Sequence, residues 1–255
     1  MIAPDRRQWP RATVAAAQLA SVAGAVLVWE TAVRLRVADP LFVPTPSAVA
    51  AAVFSGGAET LPRLCDTLLK ALSGYALAVV IGVTAGLVIG SRRMLHDVAM
   101  PFVVALYGIP KILVLPWIAL VFGLGLSTAV LTAALFAVFP IALMVAAGTR
   151  DVDPSLITVA RSMGATRRQI EIKILLPAVL PSVLAGMRVG MVFAMLGVLL
   201  AEMFAGVRGM GFLMQRMAMS FKAAELFAAT LIVSTLSIAV VLLLEHVNHR
   251  LGRWR

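Results

Sequence analysis

The sequence predicts an all-α membrane protein with six transmembrane helices. Apolar residues make up 61% of its 255 residues, charged residues only 13%, and the mean hydropathy is +0.99. This composition is typical of polytopic membrane proteins rather than of soluble domains. Apolar runs of bilayer length alternate with polar segments, and we treat residues 1–255 as one domain. The predicted spans cover residues 12–33, 68–89, 98–122, 127–147, 179–205 and 226–246.

The first predicted span follows the basic residues Arg6, Arg7 and Arg11. A signal peptide is the alternative, because the string SVA at residues 21–23 resembles a cleavage pattern. The apolar run continues past Trp29 to about 20 residues, which is bilayer length and longer than a signal-peptide core. We therefore expect a transmembrane helix here.

The second span carries Gly82, Gly86 and Gly90 at four-residue spacing. Small residues at this spacing let two helices approach closely in lipid. We therefore expect this face to pack against another helix. The connection before it, residues 34–67, predicts a short amphipathic helix after two prolines.

The third span contains Pro101, Pro110 and Pro116 within an apolar run, with Lys111 beside the second proline. Proline removes helical hydrogen bonds, so such a segment can cross the membrane only if neighbours or water satisfy the freed backbone groups. We expect an irregular span that faces the protein interior. The fourth span also holds a proline, Pro140.

Basic residues orient the chain. Most of the 22 Lys and Arg residues fall in the N-terminus, the loop at 90–97, the polar segment at 148–177 and the tail. These regions lie on one side of a six-span topology, and the positive-inside rule places that side, with both termini, in the cytoplasm. The net charge of +10 is thereby explained without nucleic acid.

The longest polar interruption in the second half, residues 153–181, predicts two helices joined by a turn. Asp153 can cap the first helix, with Pro154 at its first position. Gly164 can end that helix in a left-handed conformation, and Thr166 with Gln169 has the spacing of a capping box. The first helix carries an apolar stripe at Leu156, Val159, Ala160 and Met163.

Three interpretations compete for this polar elbow, which we define as residues 148–177. It could be a solvated helical loop. It could be a DNA-binding helix-turn-helix, but such a module needs its own core, and this one is flanked by hydrocarbon-soluble segments. It could be a docking site for a cytoplasmic partner.

The elbow resembles the EAA loop of the inner-membrane permease subunits of ABC importers. That pattern is Glu-Ala-Ala, three residues, Gly, nine residues, Ile, one residue, Leu-Pro. Gly164, Ile174 and the Leu-Pro pair at 176–177 match its second half. In the first half Thr158 replaces Glu, Val159 replaces the first Ala, and only the second Ala is kept. Further strings resemble the nitrate, sulfonate and taurine type of permease: VPTPSAV, GIPKILVLPWIALVFGLG, PAVLPSVLAGMRVG, AEM and GMGFLM.

This resemblance implies a type I ABC importer permease fold in a bacterial inner membrane. In that family two permease copies, usually identical, form the pathway for a small solute. Two cytoplasmic ATPases dock on the elbows, and an external binding protein delivers the solute. ATP and Mg²⁺ then bind the ATPases, and no cofactor is expected in this chain. The residues that would couple to the ATPase are Leu156, Val159, Ala160, Arg161, Met163, Gly164 and Ala165.

Motifs for catalysis and metal binding are absent from the sequence. It contains no GxxxxGK[ST], CxxC or HExxH string, so we expect no enzyme activity. The histidines His96, His246 and His249 adjoin predicted span ends and offer no third ligand nearby, which disfavours a metal site. The single cysteine, Cys65, excludes an intrachain disulfide.

Charged residues within predicted spans include Lys111, Arg188 and Glu202. Such residues are costly in lipid and usually face a cavity or a partner. Arg188 and Glu202 are about 21 Å apart along one helix, so they cannot pair within it. We favour a structural tie for Glu202, with Lys111 as a candidate partner of Glu202 or of span ends. Lys111 and Arg188 are the first candidates if the solute is anionic.

A gradient-driven secondary transporter or channel is the main alternative function. It predicts paired intramembrane carboxylates and internal inverted repeats, and we find no convincing repeat in the sequence. A membrane-embedded enzyme would need a clustered acid, base or metal site. The resemblance favours the importer permease over both.

Overall fold

The computed structural model describes residues 10–251, apart from the side chains of residues 11, 57, 58 and 247–251. Arg6, Arg7 and the end of the basic tail lie outside the described residues, as do the side chains of Arg11 and His249. The α-helices are α1 Arg11–Arg34, α2 Pro46–Ser55, α3 Gly57–Ser91, α4 Arg93–Gly108, α5 Leu115–Phe122, α6 Leu126–Arg150, α7 Pro154–Ser162, α8 Arg167–Ile170, α9 Leu176–Ala205, α10 Met210–Met219 and α11 Ala223–Leu251. A 3-10 helix, Lys111–Val114, precedes α5, and a π-helical turn, Glu171–Leu175, precedes α9.

The helices confirm the all-α membrane fold. Within residues 10–251 five helical stretches are long and apolar enough to cross a membrane: Ala12–Arg34, Glu59–Ser91, Leu126–Arg150, Arg167–Ala205 and Ala223–His246. A sixth crossing forms if α4 and the Lys111–Phe122 stretch count as one broken span. Several helices extend beyond their apolar runs, because a helix continues into the aqueous layer wherever the backbone is not interrupted.

The chain divides into two compact units. The first contains the described residues up to 57 together with Met217–Thr230. In it the Glu30 carboxylate accepts hydrogen bonds from the Ser47 backbone N–H at 3.1 Å and the Ser47 hydroxyl at 2.9 Å. These bonds tie the end of α1 to the start of α2, the short helix expected in the 34–67 connection.

The second unit, residues 58–216 and the described residues from 231 onward, is centred on the packing of α6 against α9. Ala133, Ala137 and Ile141 of α6 are fully buried. Glycines of α9 allow the approach: a Cβ on Gly190 would lie 2.5 Å from Cδ1 of Ile141, and one on Gly197 would lie 3.0 Å from Cα of Ala133. Small residues on both helices therefore bring the two backbones together.

Helix α3 packs on another face of α6, as its glycine spacing predicted. A Cβ on Gly82 would lie 2.9 Å from the Ile141 side chain, and one on Gly86 would lie 2.7 Å from the carbonyl oxygen of Ala142. A Cβ on Gly90 would lie 2.5 Å from the Cβ of Thr149. The three glycines form the contact stripe on α3.

The third predicted span is irregular, as expected, and most of its side chains are not buried by this chain. The axis bends by 82° between α4 and the Lys111–Phe122 stretch. Leu115 is the one buried residue of the two helices and the 3-10 turn. Bulky side chains such as Phe102 and Trp117 point outward. Apolar composition cannot separate a core helix from one facing lipid or a second subunit, since each offers an apolar environment.

The glycine stripe of α3 gives a stability prediction. Gly86→Ala places a methyl group against the Ala142 carbonyl and the Val145 side chain. Overpacking of this kind costs about 1–3 kcal/mol, and each kcal/mol lowers the melting temperature of a chain of this size by roughly 2–4 °C. We expect the loss in thermal unfolding of the purified protein, followed by circular dichroism in detergent.

Gly24→Ala in α1 is the matched control, because nothing lies within 4 Å of its Cβ position. Alanine is the better helix former, so this variant is expected to be as stable as the wild type or slightly more stable. Equal melting temperatures for the two variants would contradict the close approach of α3 and α6.

Candidate functional site: a polar elbow and the charges within the spans

The first helix of the polar elbow begins as the sequence predicted. The Asp153 carboxylate accepts a hydrogen bond from the Ser155 backbone N–H at 2.8 Å, and Pro154 occupies the first position of α7. This backbone hydrogen bond, with one from the Ser155 side chain, holds the pKa of Asp153 below its usual range. A charged carboxylate therefore stays at the positive end of the helix dipole at neutral pH.

The turn between the helices depends on Gly164, whose φ is +78°. The Ala165 N–H donates to the Ala160 carbonyl at 3.0 Å, and the Gly164 N–H donates to the Arg161 carbonyl at 2.9 Å. These bonds satisfy carbonyls at the end of α7. Nothing lies within 4 Å of a Gly164 Cβ, so the left-handed backbone, not crowding, favours glycine here.

The second half of the elbow leads without a break into α9. Thr166 and Gln169 form the predicted capping box: the Thr166 N–H donates to Gln169 Oε1 at 2.8 Å, and the Gln169 N–H donates to Thr166 Oγ1 at 3.4 Å. A continuous helical path then runs from Arg167 to Ala205. The π-helical turn at Glu171–Leu175, at the junction, was not predicted, because no residue pattern in this segment distinguishes it from an α-helix.

The predicted apolar stripe of α7 is mostly uncovered in this chain. Leu156, Val159 and Met163 are 50%, 58% and 83% exposed, whereas Ala160 is buried. Exposed basic residues surround the stripe: Arg161, Arg167, Arg168 and Lys173. The elbow therefore exposes both apolar and basic side chains in this chain.

The charges within the spans separate into three different environments. Glu202 is fully buried in α9 and is bound by α3. Its carboxylate accepts hydrogen bonds from Lys70 Nζ at 2.9 Å, Thr67 Oγ1 at 2.8 Å and the Gly211 N–H at 3.0 Å. Lys70 also donates to Asp66 at 2.7 Å and to the Arg208 carbonyl at 3.0 Å. A buried carboxylate is tolerated when its oxygens are satisfied in this way.

The prediction of a structural tie for Glu202 agrees with this geometry. Of the two partners predicted for Lys111, Glu202 is wrong, whereas the end of a span is found, since Lys111 donates to the Tyr107 carbonyl in the last turn of α4. Lys70 takes the place of Lys111 because α3, which begins at Gly57, brings both Lys70 and Thr67 to the Glu202 carboxylate. Lys70 thus lies well inside the helix rather than at its outer end. Sequence reasoning missed Lys70 as a site residue, although an isolated lysine among apolar residues was a signal for it.

The loop after α9 closes over the Glu202 carboxylate. Gly209 has a φ of +113°, and a Cβ there would coincide with the Glu202 carboxyl group. A Cβ on Gly211 would lie 2.5 Å from the Leu199 carbonyl oxygen. The Met210 N–H donates to Thr67 Oγ1 at 2.8 Å. The glycines of the GVRGMG string are therefore required by the close approach of this loop to the buried charges.

Arg188 pairs with Glu245, and the two atoms Nη2 and Oε1 lie 2.7 Å apart. This ion pair joins α9 to α11. Arg188 and Glu202 do not pair, as their separation along α9 required. The Glu245 partner had not been predicted, because it lies at the end of the last apolar run, 57 residues away in sequence.

Lys111 lies at the break in the third span. Its ammonium donates to the Tyr107 carbonyl at 2.9 Å and lies 4.4 Å from the centre of the Tyr107 ring and 5.5 Å from that of Phe139. Cation–π contacts of this kind stabilise the charge without neutralising it. Among residues 10–251, no carboxylate forms an ion pair with Lys111.

Metal-binding geometry is not found in the part of the chain that the structure describes. No group of three or more His, Cys, Asp and Glu side chains there could hold a metal ion. Cys65 is exposed, and His96 contacts Asp97 at 3.3 Å.

Comparison with protein families matches residues 78–253 to the family described as binding-protein-dependent transport system inner membrane component. The chain is 25% identical over 254 residues to the taurine transport system permease protein of Escherichia coli (strain K12), covering 97% of this chain and 92% of that protein. It is 28% identical over 237 residues to the putative aliphatic sulfonates transport permease protein of Bacillus subtilis (strain 168), covering 90% and 84%.

Two further comparisons extend this similarity. The chain is 27% identical over 231 residues to the formylaminopyrimidine transport permease protein of Halalkalibacterium halodurans, covering 90% of this chain and 92% of that protein. Its fold resembles that of a chain in an inward-facing structure of the MetNI methionine ABC transporter, with a TM-score of 0.65 at 22% identity. That match covers 76% of this chain and 95% of the other.

The buried ion pair gives a second stability prediction. Lys70→Met leaves the Glu202 carboxylate without its cation, and breaking one side of a buried pair costs about 3–5 kcal/mol. The double variant Lys70→Met with Glu202→Gln removes both charges and should recover much of that loss. Thermal unfolding of the wild type, the single variants Lys70→Met and Glu202→Gln, and the double variant in one detergent measures the coupling.

Arg63→Met is the control, because Arg63 pairs with Glu59 on the same helix at 3.8 Å and Glu59 is largely exposed. An exposed pair of this kind contributes at most about 1 kcal/mol. The structural role of Glu202 is contradicted if Lys70→Met unfolds no earlier than Arg63→Met.

Proposed function

We propose that this chain carries a small organic anion of the sulfonate class. The chain belongs to the binding-protein-dependent transport system inner membrane component family, and it is the permease subunit of an ABC importer. The observation that carries the assignment as a permease subunit is the family match over residues 78–253. Two of the relatives described above are named for taurine and aliphatic sulfonates, which supports a sulfonate as the solute.

The partners follow from the family. An external binding protein delivers the solute, and cytoplasmic ATP-binding subunits supply the energy. Two copies of this permease form the pathway, with one ATPase docked on each. ATP and Mg²⁺ bind those subunits, since this sequence contains no GxxxxGK[ST] string. The chain itself is not an enzyme.

The orientation of the chain is part of this proposal. The basic residues of the elbow and of the 90–97 loop support a cytoplasmic location for the elbow and both termini in a bacterial inner membrane. This places the exposed stripe of α7 on the side where ATP is available. A gradient-driven carrier is not favoured, because the family match assigns the chain to binding-protein-dependent transport.

The polar elbow is the coupling element in this proposal. Leu156, Val159 and Met163 are free to enter a groove on the ATPase, as amphipathic helices do in other complexes. The exposed basic residues of the elbow, including Arg161, favour an acidic surface around that groove. Gly164 sets the angle between α7 and α8, and Ala165 holds it through its bond to the buried Ala160. Movement of the docked elbow passes directly into α9.

A pair of nearly isosteric variants tests the coupling role. Gly164→Asp adds a side chain at a left-handed position, at a cost of roughly 1 kcal/mol, and a negative charge at the contact. We expect it to reduce solute uptake by at least about tenfold and to weaken ATPase retention during mild-detergent purification. Uptake and the permease-to-ATPase ratio are the measurements.

Gly164→Asn is the control, because asparagine is tolerated in the left-handed region and carries no charge. It should retain more ATPase and more uptake than the aspartate variant. Normal uptake by Gly164→Asp would rule out the elbow as the coupling element. Equal losses of uptake in both variants would show that the negative charge is not the cause of the defect.

A further inference from the structure

Two cations, Lys70 and Arg188, lie within long apolar helices that the structure describes, and Lys111 lies at the break between α4 and α5. The three differ in their partners. Lys70 binds Glu202 and Asp66, and Arg188 binds Glu245. Lys111 binds only a backbone carbonyl and two aromatic faces. The positive charge of Lys111 is therefore not compensated by a carboxylate of the described chain.

A charged group without a counter-charge is expensive wherever it is surrounded by hydrocarbon, so such groups in membrane proteins usually face a cavity, a pathway or a partner. Lys70 and Arg188 have obtained their counter-charges from neighbouring helices, so the fold can supply them. At Lys111 it supplies aromatic rings instead, which hold a cation without neutralising it. An ammonium group has three donors, and one of them is used by the Tyr107 carbonyl.

The position of Lys111 in the broken span supports the same conclusion. The 82° bend leaves backbone groups around Pro110 outside regular helical bonding. Irregular backbone is stable at membrane depth only where protein covers it or where it lines a water-filled cavity. Lys111 and its neighbours Ile109, Ile112 and Leu113 are not buried by this chain.

The surroundings of the ammonium group come from three helices. Tyr107 belongs to α4 and Phe139 to α6, and Phe193 of α9 contacts the Tyr107 ring edge-on with 6.4 Å between centroids. The Lys111 ammonium thus lies beside an aromatic wall, which we define as the rings of Tyr107, Phe139 and Phe193. Such a surface suits a small solute that has an anionic head and a short hydrocarbon body.

We propose that Lys111 is the anion contact of the translocation pathway, with its free N–H donors binding the sulfonate or carboxylate oxygens of a passing solute. Tyr107, Phe139 and Phe193 contact the hydrocarbon part. Arg188 and Glu202 are structural charges and do not bind solute. This inference rests on the proposed function for the presence of a pathway, and it adds the residue that selects for negative charge.

The test measures the electrostatic field of Lys111 with charged thiol reagents. Tyr107→Cys is introduced into a Cys65→Ser background, with Lys111 either kept or changed to Gln. The full-length chain, in the complex in which it purifies, is placed in phosphatidylcholine nanodiscs, which supply no net anionic headgroup. The probes are the anionic 2-sulfonatoethyl and the cationic 2-trimethylammonioethyl methanethiosulfonates.

We expect the thiol introduced by Tyr107→Cys to react with both reagents and to prefer the anionic one. A unit charge about 5 Å away should change the ratio of anionic to cationic rates by about tenfold, even at the dielectric constant of water. Lys111→Gln should remove that factor, and Lys111→Arg should retain it. Phe139→Cys, on the other side of the ammonium, provides a second position if the first variant does not fold.

Met94→Cys is the control for a general change in reactivity. Met94 is 83% exposed and lies thirteen residues before Tyr107 on α4, about 20 Å away and beyond the Debye length. Its rate ratio should not depend on Lys111. The proposal is overturned if neither thiol beside Lys111 reacts, which places the site away from water, or if the ratio is the same with Lys111 and with Gln. Neither readout needs ATP or the binding protein, so failure here is distinct from failure of the coupling role.

Discussion

The buried carboxylate of Glu202 imposes the strictest constraint on this structure. A charge that is completely shielded from solvent is stable only if a cation and hydrogen-bond donors surround it. Lys70 and Thr67 come from α3, and the Gly211 N–H comes from the loop after α9. The position of one carboxylate thus fixes three segments relative to one another. The glycines of the loop are a consequence, since side chains there would occupy the space of the carboxyl group.

Close packing of small residues extends this fixed point along the helices. In lipid no hydrophobic driving force brings helices together, so association depends on van der Waals contact and polar ties. Helix α6 packs against both neighbouring helices. Gly82 and Gly86 of α3 approach it, and so do Gly190 and Gly197 of α9. The polar tie and the glycine stripes are therefore complementary. The polar tie at Glu202 sets the register of α3 and α9, and the glycine stripes set the distance of each helix from α6.

Local patterns in the sequence predicted the features that depend on neighbouring residues, but they did not predict the long-range contacts. The capping box at Thr166 and the glycine face of α3 follow from spacing alone, and both are present. The bond between Lys70 and Glu202 joins residues 132 positions apart, which no periodicity reveals. The exposure of α4 and α5 in the single chain could not be predicted either, because a helix that faces lipid or a second subunit has the same composition as a core helix.

Helix α9 connects the elbow, the aromatic wall and the buried ion pair in one element. About 52 Å of helix separate Arg167 from Glu202, and about 14 Å separate Phe193 from Glu202. With the Glu202 end fixed by its buried bonds, a sideways displacement of the elbow would move Phe193 by about a quarter as much, the ratio of these lengths. Such a movement of Phe193 would alter its edge-on contact with Tyr107, and with it the environment of Lys111. The rigid end of α9 is therefore what would let a movement at the cytoplasmic surface reach the charge in the broken span.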